Sequence, residues 1–209
     1  MEQQLNKGQR KAKRKQKIHA AIAIFLALGL VLSTMLGFAG IFTRGNTNVT
    51  DNQYLLEKEN QGAALAEALA QDPENVHLAI GLGDFYYELA DECWRYQDYY
   101  ERGNHYARLS QGFYLQALDS GEDTKELILK IATVAFRLFD FTLAEEYYQR
   151  ALGLDEEDPE VLLGYGLLLY NTDRQEEGRN TWEKVLEYAP EGSTEAEAAM
   201  YYLALTSES

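Results

Sequence analysis

From Tyr54 to the end of the chain, apolar positions recur at the three- and four-residue spacing of helices that bury one face. Proline is confined to Pro73, Pro159 and Pro190 in this stretch, each at the edge of a periodic segment, where it marks a helix boundary. The pattern predicts an all-α domain over residues 54–206. Upstream the pattern changes. Ile18 to Thr43 is a run of 26 residues without Asp, Glu, Lys or Arg. As a helix it would be about 35–40 Å long, enough to cross a hydrocarbon core of about 30 Å with some tilt.

Residues 18–43 are therefore predicted to be a single transmembrane helix. Residues 1–17 carry seven Lys/Arg against Glu2, whereas only Arg44 follows the apolar run closely. Basic residues beside a span stay on the cytoplasmic side. The expected arrangement is a basic cytoplasmic tail (1–17), a single pass of the cell membrane and an extracytoplasmic C-terminal domain. A basic tail, an apolar core and the small-x-small triplet Gly37-Phe38-Ala39 also fit a signal peptide cleaved near Ala39, which would leave a secreted protein. The apolar run exceeds the about 7–15 residues of a signal-peptide core, which favours the retained anchor. Residues 44–53 are polar, with Gly and Asn, and are predicted to be a linker. Asn48-Val49-Thr50 matches a glycosylation triplet, a pattern that chance supplies readily.

The helical region repeats. Ala117-Leu118 and Ala151-Leu152 are 34 residues apart, and Lys184-Val185-Leu186 continues that spacing. Ala68-Leu69 precedes Ala117-Leu118 by 49, one period plus a 15-residue insertion. Leu82-Gly83-x2-Tyr86 and Ala144-x3-Tyr148-x2-Ala151 occupy fixed places in this frame. So do Gly166, Trp182 and Pro190 in the last full unit, with Gly178 and Val185 where alanine is usual. The middle unit has Ile131-Ala132 and Ala135 in place of Leu-Gly and Tyr. Period and motifs resemble the tetratricopeptide repeat (TPR), a helix–turn–helix unit of 34 residues. That resemblance implies an α-solenoid in which small residues let paired helices approach and large aromatics fill the gaps between pairs.

In this frame residues 54–71 resemble the second half of a repeat, 74–121 an enlarged pair, and 125–156 and 159–189 two ordinary pairs. Residues 193–206 form a C-terminal capping helix with Ser193 or Thr194 as N-cap. The insertion falls around Leu89–Asn104. Antiparallel helices that stay in contact lengthen together, which places the turn near Gln97-Asp98 with Asp98 as N-cap; a turn at Gly103-Asn104 would leave unequal helices. Trp94, Tyr96, Tyr99, Tyr100 and Tyr106 lie in the extension, either packing the longer pair on itself or forming a projecting aromatic tip.

Charge sharpens the division. The formal net charge of −15 combines +6 over residues 1–17, +1 at Arg44 and −22 over residues 45–209. The acidic part repels nucleic acid and anionic lipid, so no nucleic-acid partner is expected. Cys93 is the only cysteine, so no intramolecular disulfide can form. His19 lies in the apolar run, and His77 and His105 are isolated in sequence. No phosphate-binding loop, dinucleotide fingerprint, nucleophile elbow or metal-ligand spacing occurs. Asp155-Glu156-Glu157-Asp158 lacks the spacing of a calcium loop and reads as a solvated turn between repeats. No enzyme activity, cofactor or metal is expected.

The family resemblance implies a groove lined by the second, fifth, ninth, twelfth and thirteenth positions of each repeat. Here these are His77, Ile80, Asp84, Tyr87 and Glu88; Glu126, Leu129, Thr133, Phe136 and Arg137; and Glu160, Leu163, Leu167, Tyr170 and Asn171. TPR domains that clamp acidic chaperone tails place Lys, Arg and Asn at such positions. This apolar groove with acidic edges instead suits a peptide or protein with hydrophobic anchors and basic flanks. The expected function is a membrane-anchored protein-interaction scaffold in the cell envelope. Two alternatives stay open: a homo-oligomer built on tyrosine-rich faces, and a groove filled by the capping helix itself.

Overall fold

The fold is a computed structural model that describes residues 49–207. The predicted basic tail, transmembrane helix, cleavage site and all but the end of the linker lie outside the described residues. Among these, eight α-helices and one short 3-10 turn make up the regular structure, and no helix is long and apolar enough to cross a membrane. The chain divides into two compact units after Ser120.

In the first unit α1 spans Val49–Gln71, α2 Val76–Trp94 and α3 Tyr100–Asp119. The predicted linker is shorter than expected, because α1 begins at Val49. The segment from Val49 to Leu56 contains neither Gly nor Pro, so nothing local stops the helix from extending backwards. Asn75 caps α2 by accepting a hydrogen bond from the Leu78 amide. The insertion is shared evenly. Helices α2 and α3 have 19 and 20 residues, against 13 and 14 in the next pair. The turn falls where equal lengthening places it, but Asp98 is not the N-cap. It sits inside the 3-10 turn Gln97–Tyr99, Tyr99 holds the cap position without a capping side-chain bond, and the chain enters through extended backbone at Tyr96. Gly103 lies within α3, which excludes a turn there.

Aromatic packing holds the long pair together. Tyr86 is fully buried between Phe113 and Tyr106, with ring centroids 5.7 and 6.2 Å away. Tyr106 donates a 2.5 Å hydrogen bond to Glu59 of α1, which ties the lone helix to the pair. Of the aromatics in the extension, Tyr106 is buried, and Trp94 is half-buried with its indole N–H donating to Asn104 at 2.9 Å. Tyr96 is 64% exposed and Tyr100 38%. The two readings of the extension are thus divided between its base and its tip.

The second unit comprises α4 (Lys125–Arg137), α5 (Phe141–Leu154), α6 (Pro159–Asn171), α7 (Gln175–Tyr188) and α8 (Thr194–Thr206). The 34-residue period reappears in the backbone. Phe139 and Asp173, one period apart, both take left-handed conformations (φ 61° and 60°) just after a first helix. In each turn the next amide closes back on the helix, Asp140 N–H to Ala135 C=O and Arg174 N–H to Leu169 C=O. Thr124, Asp140, Asp158 and Ser193 cap α4, α5, α6 and α8, so Ser193 rather than Thr194 is the last N-cap.

The small residues do what the repeat requires. Ala132 and Ala144 are fully buried within one pair. In the next, a Cβ added at Gly178 would come within 2.8 Å of the Gly166 carbonyl, and one added at Gly166 within 2.4 Å of Trp182 Nε1. The departure from alanine at Gly178 therefore permits a closer approach than alanine would. Trp182, Leu162, Val185 and Ala199 form the core here, with Leu163, Leu167, Tyr170, Tyr202 and Leu203 packed against them.

Candidate binding surface

Residues spaced as the second, fifth, ninth, twelfth and thirteenth positions of a 34-residue unit fall on one face of its first helix. The fold gives the three sets one exposure pattern. The outer members His77, Glu88, Glu126, Arg137, Glu160 and Asn171 are exposed. The inner members Ile80, Asp84 and Tyr87, Leu129, Thr133 and Phe136, and Leu163, Leu167 and Tyr170 are half-buried. Each unit thus presents a partly open apolar strip with a polar border.

The strips differ in how much remains open. In the first unit Asp84 accepts a 2.6 Å hydrogen bond from the Tyr114 hydroxyl, and Tyr87 meets Trp94 edge to face at 6.4 Å. Both are committed to the long pair. In the second unit Leu163, Leu167 and Tyr170 pack against the core that α8 completes through Tyr202 and Leu203. The capping helix therefore takes up part of the last set. Leu129 and Thr133 on α4 are half-buried, and Phe136 lies 6.0 Å from the Phe141 ring.

Two residues absent from the predicted groove hold equivalent repeat positions. Tyr201 and Leu205 lie one period after Leu167 and Asn171 and are 62% and 61% exposed. Carrying the period into the capping helix would have found them. Met200 beside them is 52% exposed.

The border of the second unit is acidic. The Glu160 carboxyl is held above its ordinary range by partial burial and then by Asp158, Glu195 and Glu126, with Lys125 opposing. Glu126 occupies the equivalent repeat position and is the least of these influences. The neighbouring acidic run is more than a solvated turn. Lys125 Nζ reaches Asp155 Oδ2 at 2.8 Å and also pairs with Asp158. Asp158 in turn accepts from the Glu160 and Val161 amides at the start of α6. Burial pushes the Asp158 carboxyl up, but these bonds outweigh it and hold the group below its ordinary range.

The residues with chemical potential do not converge. Burial pushes the Cys93 thiol up to about 11, which keeps it protonated and weakly nucleophilic near neutrality. Burial pushes the His105 imidazole down, and His77 is exposed. His19 lies outside the described residues. Among the described residues no cluster of His, Cys, Asp and Glu could hold a metal ion.

No family model matches the chain, and no curated protein matches it. Solved structures do. The crystal structure of MamA superposes with a TM-score of 0.53 at 15% identity, covering 77% of this chain and 93% of that one. The fold is of the tetratricopeptide-repeat type. Two further TPR structures are more distant. YrrB, described as a TPR protein with an unusual peptide-binding site, has a TM-score of 0.41 at 20% identity, covering 69% of this chain and 84% of its own. The first TPR of Spaghetti (RPAP3), bound to the HSP90 peptide SRMEEVD, has a TM-score of 0.45 at 20% identity, covering 61% and 94%. Between the TPR pairs of this chain, the long α2–α3 hairpin is the main departure from a regular 34-residue unit.

Proposed function

We propose that this chain is a protein-interaction scaffold whose TPR surface takes a peptide or protein segment with hydrophobic anchors and basic flanks. The observation that carries the reading is the acidic row Glu126–Glu160–Glu195 beside the half-open Leu129 and Thr133. Burial first, and then the charges of Asp158, Glu195 and Glu126, hold the Glu160 carboxyl above its ordinary range, and a cationic ligand beside it relieves the repulsive part. The scaffold is anchored in the cell membrane by residues 18–43, with the repeats outside the cytoplasm. The hydropathy and charge of the N-terminal residues support this part of the reading. The assigned role is binding without catalysis, in keeping with a buried, protonated Cys93.

The test compares immobilised peptides that share leucine and aromatic anchors but carry either Lys/Arg or Asp/Glu flanks. The parent is expected to retain the basic set about tenfold more strongly, the effect of one to two charge contacts of about 1 kcal/mol each. The exposed pair Glu126→Lys, Glu160→Lys is expected to abolish that preference, and Leu129→Arg to weaken both sets, with circular dichroism showing each variant folded. Equal retention of basic and acidic peptides by the parent would overturn the reading.

A further inference from the structure

The tip of the long hairpin carries a second candidate site, independent of the repeat groove. A pocket of about 330 Å³ opens where the N-terminal part of α1 meets the end of α2 and the 3-10 turn, with Tyr54, Glu92, Arg95, Tyr96 and Tyr99 around it. The buried Leu55 and Cys93 complete its wall. This volume is at the lower end of ligand pockets, which run to about 300–1,000 Å³, so it suits a small head group rather than an extended peptide.

Its walls are selective. Tyr96 and Tyr99 stand edge to face, with centroids 6.3 Å apart and planes at 82°, and so present two aromatic surfaces at nearly a right angle. Aromatic faces are electron-rich and attract cations. The Tyr54 hydroxyl donates to both oxygens of Glu92, at 3.0 and 3.2 Å, which fixes the carboxylate in the wall. The Tyr54 ring already has the Lys58 ammonium 5.5 Å from its centroid, so an incoming cation relies on Tyr96 and Tyr99. Arg95 opposes a cation least where it stands: it is 71% exposed and paired with Asp91 at 2.8 Å. An anion would meet the Glu92 carboxylate and two ring faces. A neutral thiol and a leucine add apolar contact for methyl groups without competing charge.

We infer that this pocket is an aromatic cage for a quaternary ammonium group, with Tyr96 and Tyr99 as its faces and Glu92 as its counter-charge. Such a group has no N–H to satisfy, sheds its water readily and gains from aromatic faces and methyl contact together. The same chemistry is offered by a free choline-like molecule and by a trimethylated lysine side chain.

The experiment is calorimetric titration of the full-length protein with choline, with acetylated and amidated trimethyllysine, and with the uncharged tert-butyl analogue of choline. Saturable binding of at least one cation is expected, about tenfold tighter than the uncharged analogue. Tyr96→Ala should weaken it about tenfold and Tyr96→Phe should retain it, since the ring face survives. Glu92→Gln should weaken the cation and leave the uncharged analogue unchanged. Tighter binding of choline identifies a soluble small molecule as the source, tighter binding of trimethyllysine a protein side chain, and either upholds the cage. Absence of saturable binding to both cations, equal binding of the uncharged analogue, or full affinity in Tyr96→Ala would overturn it.

Discussion

Two residues of the second unit show how context reverses intrinsic preference. In a helix, Gly→Ala ordinarily gains about 1 kcal/mol. At Gly166 the added methyl would press into Trp182, 2.4 Å from Nε1, and Trp182 is fully buried. Gly166→Ala is therefore expected to lower stability by about 1–3 kcal/mol, the cost of overpacking a filled core. Phe139 runs the other way. Its φ of 61° is costly for a bulky side chain, and the residue is 66% exposed, so its edge-to-face contact with Phe141 at 6.0 Å offsets only part of the strain. Phe139→Gly is expected to raise stability by about 0.5–1 kcal/mol despite removing an aromatic. Urea unfolding midpoints for the two variants should move in opposite directions. Movement in the same direction would mean that neither the close approach nor the backbone strain has the weight assigned here.

The long hairpin of the first unit has its own signature among the elements. Tyr86, Tyr106 and Tyr114 are buried, and burial first of all pushes each hydroxyl well above its ordinary range. Glu59 beside Tyr106, and Asp84 beside Tyr114, push in the same direction. Cys93 is raised to about 11. All four groups are neutral when protonated, and unfolding returns them to about 8.5 for the thiol and about 10 for the phenols. The unfolded chain therefore releases protons first as pH rises. Stability contributed by these groups is complete below about pH 8.5, falls as pH rises through about 10, and continues to fall toward the folded values. Alkaline titration is expected to unfold this hairpin cooperatively, with tyrosinate absorbance and loss of helical circular dichroism rising together. Tyrosinate signal from all tyrosines at their ordinary pH, with helicity intact, would contradict that burial.

For the whole molecule, charge and apolarity are segregated along the chain. The first 17 residues carry +6, the next 26 carry no Asp, Glu, Lys or Arg, and residues 45–209 carry −22. A domain so acidic repels anionic surfaces, in keeping with the basic-flanked ligand proposed above. The proposed anchor makes a separate prediction. Alkaline carbonate extraction of native membranes should leave the intact chain in the pellet, whereas Arg or Lys introduced at Leu28 and Leu32 should release it. Release of the unmodified chain, shortened by cleavage near Ala39, would support a secreted protein instead.

The helical class, the 34-residue period, the split of the insertion between two helices and the small-residue contacts were legible in the sequence. Each depends on spacing, and spacing along a helix determines which side chains share a face. The three groove sets came from the family resemblance, and their equivalent places in the period give them one exposure pattern. Only the tertiary structure decided what those faces meet. Whether Leu163 is open or spent on the core depends on where α8 lands, and whether Asp84 is a ligand or a partner of Tyr114 depends on a residue 30 positions away. Asp98 failed as a cap for a related reason, because the chain tightens into a 3-10 turn before α3 begins. The pocket at the hairpin tip was equally hidden, since Tyr54 and Glu92 are 38 residues apart and no repeat relates them. Local periodicity is written in consecutive residues; the pairing of distant side chains exists only after the helices have packed.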